Sequence, residues 1–147
     1  MATEHSDAQI FSLRLPAELD QLPVFLGHVR QTAETAGLMD AQGARLELAV
    51  EEALVNVFNY AYAGQTHAGA VTCRVMVETD GLTVEIVDEG PPFDPLARPD
   101  PDTALELEQR QPGGLGIFMI RQLTDEVNYR REAGQNVLTI RMRKGIE

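Results

Sequence analysis

The chain is nearly without lysine. Lys144 is the only one, so neither a glycine-rich loop ending in Gly-Lys-Ser/Thr nor a strand lysine of the eukaryotic kinase type is present. Any nucleotide would have to be held in another way. Cysteine is equally scarce: Cys73 stands alone, which excludes an internal disulfide and a cysteine-built zinc cluster. No apolar run approaches the length that spans a bilayer, and the N-terminal Met1-Ala2-Thr3-Glu4-His5-Ser6-Asp7 is polar and unlike a signal peptide. The sequence therefore reads as cytoplasmic. Positive charge is short throughout, with 12 basic against 23 acidic residues and a net charge of -11. That balance argues against nucleic acid or anionic lipid as a partner of the general surface. No repeat and no linker divides the 147 residues, which read as one domain with a core large enough to stand alone.

What is present begins with Leu46 to Tyr62, a stretch free of glycine and proline. Apolar residues at 46, 49, 50, 53, 57, 60 and 61 follow the i, i+3, i+4, i+7 spacing of a buried helical stripe. Glu52 and Asn56 stand four apart, one above the other at the border of that stripe, and Asn59 continues the line. A carboxylate beside a carboxamide at the rim of an apolar face suits a proton acceptor next to a ligand for a hard cation; the same pair also suits a solvated helix edge.

Around that helix the pattern alternates. Ile10 to Leu15 reads as a short strand ended by Pro16, followed by a helix from Ala17 to about Ala36 that either kinks at Pro23 or starts near residue 21. Its apolar face draws on Leu19, Leu22, Val24-Phe25-Leu26 and Val29, and Gly37 stops it. Asp40 is placed to cap the next helix, which runs to about Ala63. Ala70–Glu78 and Leu82–Asp88 alternate with period two about an Asp80-Gly81 turn, so Asp88 takes the next core-facing position after Leu82, Val84 and Ile86. An acid there is either a strand leaving the core or a buried acceptor. Residues 89–113 lack apolar periodicity and hold most of the eight prolines, as a lid or binding loop would; 103–110 could form a short helix within it. Gly113-Gly114-Leu115-Gly116 opens a third helix from Ile117 to about Glu126, with Ile117, Ile120, Leu123 and Val127 inward. Glycines at such a helix start let N–H groups approach an anion. A last hairpin turns about Ala133-Gly134-Gln135.

Three elements thus stand in order: Glu52-x-x-x-Asn56 on a helix, Asp88-Glu89-Gly90-Pro91-Pro92-Phe93-Asp94 leaving a strand, and Gly113-Gly114-Leu115-Gly116 entering a helix. In this order they resemble the N, G1 and G2 boxes of Bergerat-fold (GHKL-type) ATPases, the superfamily of gyrase and of histidine-kinase catalytic domains. The wording resembles more closely the anti-sigma-factor serine/threonine kinases of bacterial partner-switching systems. The resemblance covers nearly the whole chain.

It implies a two-layer α/β sandwich, a mixed and largely antiparallel sheet of about five strands with three helices on one face. It implies ATP and Mg²⁺ as cofactors. Asn56 would ligate the metal, with Asn59 a further polar neighbour, and Glu52 would be the general base. Asp88 would accept from the adenine amino group, Gly90 would let the base approach, and Phe93 belongs to the same box. Gly113, Gly114, Leu115 and Gly116 would hold the phosphates, under a lid of about residues 91–112. Two places depart from the family pattern. Pro92 stands where the first box commonly has a second glycine, and Gln111-Pro112 offers no base before Gly113, leaving Arg110 as nearest candidate for the γ-phosphate and Arg98 behind it. Arg110 equally suits an ion pair with Glu106 on a lid helix. The function implied is phosphorylation of a small antagonist protein alternating with sequestration of a sigma factor or other target, by a homodimer. The alternative is a nucleotide-gated binding switch with little catalysis, against which Glu52 counts. A histidine-kinase catalytic domain is disfavoured, since 147 residues leave no room for a phosphoacceptor domain and His5, His28 and His67 lack its context.

Overall fold

The computed structural model describes residues 9–62, 69–92, 94, 96 and 114–145, with the backbone alone for 60 and 114–117. Among the described residues, five strands form one sheet: β1 (Gln9–Pro16), β2 (Ala70–Glu78), β3 (Gly81–Asp88), β4 (Glu126–Glu132) and β5 (Gln135–Arg143). Their order is β1-β2-β3-β5-β4. The sheet expected as mixed and largely antiparallel is antiparallel at all four pairings. Pro16 is tolerated because β1 is an edge strand, where a missing N–H costs no ladder bond.

Among the described residues, three helices, α1 (Leu22–Ala36), α2 (Asp40–Tyr60) and α3 (Gly114–Leu123), share one core with the sheet. That core joins Phe25 and Val29 of α1, the Leu46, Ala49, Val50, Ala53, Leu54 and Val57 stripe of α2, and Ile120 of α3. Beneath them lie Val71, Cys73 and Val75 of β2, Leu82, Val84 and Ile86 of β3, and Leu138, Ile140 and Met142 of β5. Truncating a fully buried member such as Leu54 to Ala would cost about 2–5 kcal/mol. The opposite face of the sheet carries a ladder of ion pairs, with Glu85 between Arg74 (3.3 Å) and Arg130 (3.2 Å).

Several expected boundaries shift for physical reasons. α1 starts at Leu22 with Pro23 in its first turn, after a 3-10 turn at Leu19–Gln21, so no kink is needed. Leu19 and Val24 are consequently exposed instead of facing inward. Asp40 is the first residue of α2, not its cap; Met39 holds the cap position, its N–H reaching Gln42 Oε1 at 3.4 Å. The hairpin expected at Asp80-Gly81 turns at Thr79-Asp80, because Gly81 already pairs with Glu78. A side chain at Gly81 would meet the Met142 carbonyl at 2.4 Å, so that glycine serves strand approach and not the turn. α3 begins at Gly114 and ends at Leu123, which places Val127 on β4. The last hairpin turns on Ala133 and Gly134, both with positive φ, as a two-residue type I′ loop requires.

Candidate nucleotide-binding site

The end of β3 is where polar groups enter the core. Asp88 is 4% exposed and lines a narrow recess together with Asn56, Val57, Ala61, Ile86 and Leu138. Its free volume is about 20 Å³, enough for a water and not for a base. The apolar walls come from α2 and from two neighbouring strands, β3 and β5.

Asp88 is held on one side only. Its Oδ1 accepts from the Gly90 N–H and from Asn136 Nδ2, each at 2.9 Å. Asn136, itself 4% exposed, also donates to the Pro91 carbonyl at 2.9 Å and accepts from Tyr129 O–H at 2.6 Å. Among the described residues, no hydrogen bond is recorded to Asp88 Oδ2. A buried carboxylate in a recess wall, with one oxygen pinned and the other left without a partner, can accept from an N–H donor.

The turn after Asp88 is locked as well. A Cβ at Gly90 would fall 2.3 Å from the Ala61 carbonyl, so Gly90 is required by the close approach of the α2 end. Arg131 donates to the Gly90 carbonyl at 2.7 Å. Tyr62, just past α2, donates to the Ala70 carbonyl at 2.7 Å and accepts from the Glu89 N–H at 2.8 Å, tying the helix to both strands.

Asn56 is half-buried at the recess, and among the described residues no hydrogen bond is recorded for its amide. Glu52, one turn earlier, is half-buried beside the recess without lining it. Burial, and then the charge of Glu51, push its carboxyl above the ordinary glutamate value. Asn59 is exposed and does not line the recess. Gly114, Leu115 and Gly116 form the first turn of α3, where backbone N–H groups lack helical acceptors. The far end of α3 lies beside Gln42 and Arg45 at the start of α2, and the two helices pack along each other, so that first turn is directed to the Asn56 end. Phe93, Arg98, Arg110, Gly113 and the expected 103–110 helix fall outside the described residues, as does most of the lid.

Sequence reading missed Asn136, Tyr129 and Tyr62. Asn136 stands out only once the β3–β5 register sets it opposite Asp88.

The residues fit a purine nucleotide with a hard cation. Asp88 Oδ2 suits an exocyclic amine, and Ile86 and Leu138 offer apolar walls to a flat ring. Among the described residues, no group of three or more His, Cys, Asp or Glu is placed to hold a metal ion. An open amide such as Asn56 matches a cation that keeps waters and phosphate oxygens as its other ligands.

The chain matches the family described as the histidine kinase-like ATPase domain over residues 15–142. The serine-protein kinase RsbW of Listeria monocytogenes serovar 1/2a is 30% identical over 142 residues, covering 94% of this chain and 88% of that protein. The serine/threonine-protein kinase BtrW of Bordetella bronchiseptica is 31% identical over 111 residues, 73% of this chain and 78% of the relative. Among solved structures, the RsbU and RsbW domains of a Mycobacterium tuberculosis protein superpose with a TM-score of 0.64 at 15% identity, over 92% of this chain and 32% of that one. A histidine kinase domain from Erythrobacter litoralis gives 0.52 at 20% identity, over 87% and 61%. At those identities the structures speak for the fold.

Proposed function

The chain belongs to the histidine kinase-like ATPase family as a protein serine/threonine kinase akin to RsbW, and from that premise we propose the following assignment of its site. ATP binds with its adenine in the recess, the amino group donating to Asp88 Oδ2. The observation that carries this reading is the asymmetric fixing of Asp88, a residue of the recess wall with one oxygen held by Gly90 and Asn136 and the other without a hydrogen bond among the described residues. Because the recess has room for little more than a water, the base enters as its walls part.

Asn56 would hold Mg²⁺, whose charge would offset that of the phosphates during transfer. The first turn of α3 presents the N–H groups of Gly114, Leu115 and Gly116 to the same phosphates, with Gly113 and Arg110 as further candidates and Phe93 beside the base. Glu52 accepts the proton of the attacking hydroxyl as the serine or threonine oxygen bonds to the γ-phosphorus and ADP departs. The burial that lifts its carboxyl makes it a stronger base than a solvated glutamate. Asn59, exposed at the outer rim, contributes at most to the water shell of the metal.

The phosphoryl acceptor is a small antagonist protein, and the alternative partner, sequestered by the same kinase, is a sigma factor or another regulated protein. The active form is a homodimer, which light scattering would test. Single-turnover transfer from radiolabelled ATP to a purified antagonist-type protein tests the catalytic assignment. Glu52→Gln should retain ATP while transfer falls by about 10²–10⁴-fold. Asp88→Asn should weaken ATP and ADP alike. Transfer by the Gln variant at the unmodified rate would remove Glu52 from the mechanism.

A further inference from the structure

The end of the sheet opposite Asp88 holds a second cleft. Seven residue steps along β3, at about 3.3 Å each, separate Asp88 from Gly81, so this end lies about 23 Å from the adenine recess. A groove of about 570 Å³ opens there, lined by Gln42 and Arg45 of α2, Gln122 and Leu123 of α3, Asp125, and Lys144 after β5.

Its cations are unusual in this chain. Acids outnumber bases almost two to one, and among the described residues every arginine but Arg45 has an acceptor for its side chain. Arg45 and Lys144 alone have none, both are exposed, and both line this groove. In so acidic a protein, two unpaired bases converging on one cleft mark it as the place where the surface attracts negative charge.

The groove is also firmly built. Gln42 is 7% exposed and bridges the chain end, donating to the Arg143 carbonyl at 2.7 Å and accepting from the Gly145 N–H at 2.9 Å. The Lys144 N–H donates to the Asp80 carbonyl at 2.8 Å. Asp125 is partly spent on the Arg143 N–H at 2.7 Å, and the Arg143 guanidinium on Glu126 at 3.2 Å. The lining therefore combines two free cations with the Gln122 amide, the remaining Asp125 oxygen and a half-buried Leu123. A small inorganic anion would use only the cations. A peptide uses all of them: carboxylates for Arg45 and Lys144, main-chain groups for Gln122 and Asp125, an apolar side chain for Leu123.

We propose that this groove docks an acidic peptide segment of a partner protein, at a surface separate from the nucleotide site. A partner held there leaves the adenine recess free, so docking and nucleotide binding proceed independently.

Fluorescence anisotropy tests this on the full chain, with a labelled peptide of glutamates interspersed with leucines as probe. Binding should weaken about tenfold in the double variant Arg45→Gln, Lys144→Gln, as expected for losing two solvent-screened ion pairs, and should fall with added salt. Arg30→Gln with Arg130→Gln removes the same charge from bases already paired and should leave binding unchanged. Saturating ATP should not alter the peptide affinity, and ATP affinity of every variant should match the unmodified chain, which keeps this result separate from the kinase assignment. Equal binding by both double variants, or equal binding of a glutamine-for-glutamate peptide, overturns the proposal. So does light scattering in which the Arg45, Lys144 variant alone loses self-association, since the occupant would then be a second copy.

Discussion

Asn136→Ala is the perturbation that tests most directly how Asp88, the proposed adenine acceptor, is held. The substitution removes the 2.9 Å bond to Asp88 Oδ1, the 2.9 Å bond to the Pro91 carbonyl and the 2.6 Å bond from Tyr129. A bond to a carboxylate contributes about 1.5–3 kcal/mol and each neutral bond about 0.5–1.5. Tyr129 is only half-buried and can turn to water, so its share is discounted. The expected loss is about 3 kcal/mol, or about 10 °C in Tm for a chain of this size. Differential scanning calorimetry measures it, and titration calorimetry should show ATP and ADP weakened together, because the fault lies at the base and not at the phosphates. Tyr129→Phe should cost about 1 kcal/mol and spare nucleotide affinity. A double-mutant cycle with Asp88→Asn should give a coupling of about 0.5–3 kcal/mol. If Asn136→Ala melts within 2 °C or so of the parent and binds ADP unchanged, Asp88 is held by something else and the argument from its asymmetry fails.

Glu52→Gln should raise Tm at neutral pH or leave it unchanged. The folded carboxyl titrates above its unfolded value, so its contribution favours folding below the unfolded pKa and is lost as pH rises through the folded one. The advantage of the Gln variant should shrink as the pH falls towards about 4; a lower Tm at pH 7 would contradict the burial argument. The Cys73 thiol, fully buried and pushed up to about 12, should resist a thiol-specific chromophoric reagent in the native chain and react once in denaturant. Rapid native labelling at pH 8 would mean that the β2 core opens. Gly90→Ala should cost about 1–3 kcal/mol and weaken nucleotide binding, since the new methyl meets the Ala61 carbonyl and must shift the turn after Asp88; unchanged melting would show that the α2 end yields freely.

Periodicity was enough to place the elements. The 3.6-residue stripe from Leu46 to Val57 is buried as the spacing predicts, and the two-residue alternation of β2 and β3 brings Val71, Cys73, Val84 and Ile86 inward. These are local properties, because a side chain's face within a helix or strand follows from backbone geometry alone. The order of Glu52-Asn56, Asp88-Gly90 and Gly113-Gly116 likewise lies in the chain itself, and with it the resemblance that led to ATP.

Other features needed partners distant in sequence. Leu19 and Val24 satisfy an apolar count but face solvent, since α1 starts later than composition suggests and its rotation is set by packing on α2 and the sheet. Gly81 and Gly90 read as turn residues, yet their constraint is a carbonyl of another element, Met142 in one case and Ala61 in the other. Asn136 is an ordinary strand residue until the β3–β5 register sets it opposite Asp88. Arg45 and Lys144 are far apart in the chain and meet only because α2 begins where β5 ends. Sequence by itself determined which residues turn inward and which motifs exist. The tertiary register decided which of them touch, because a hydrogen bond or an ion pair depends on separation in space and no period along the chain encodes it.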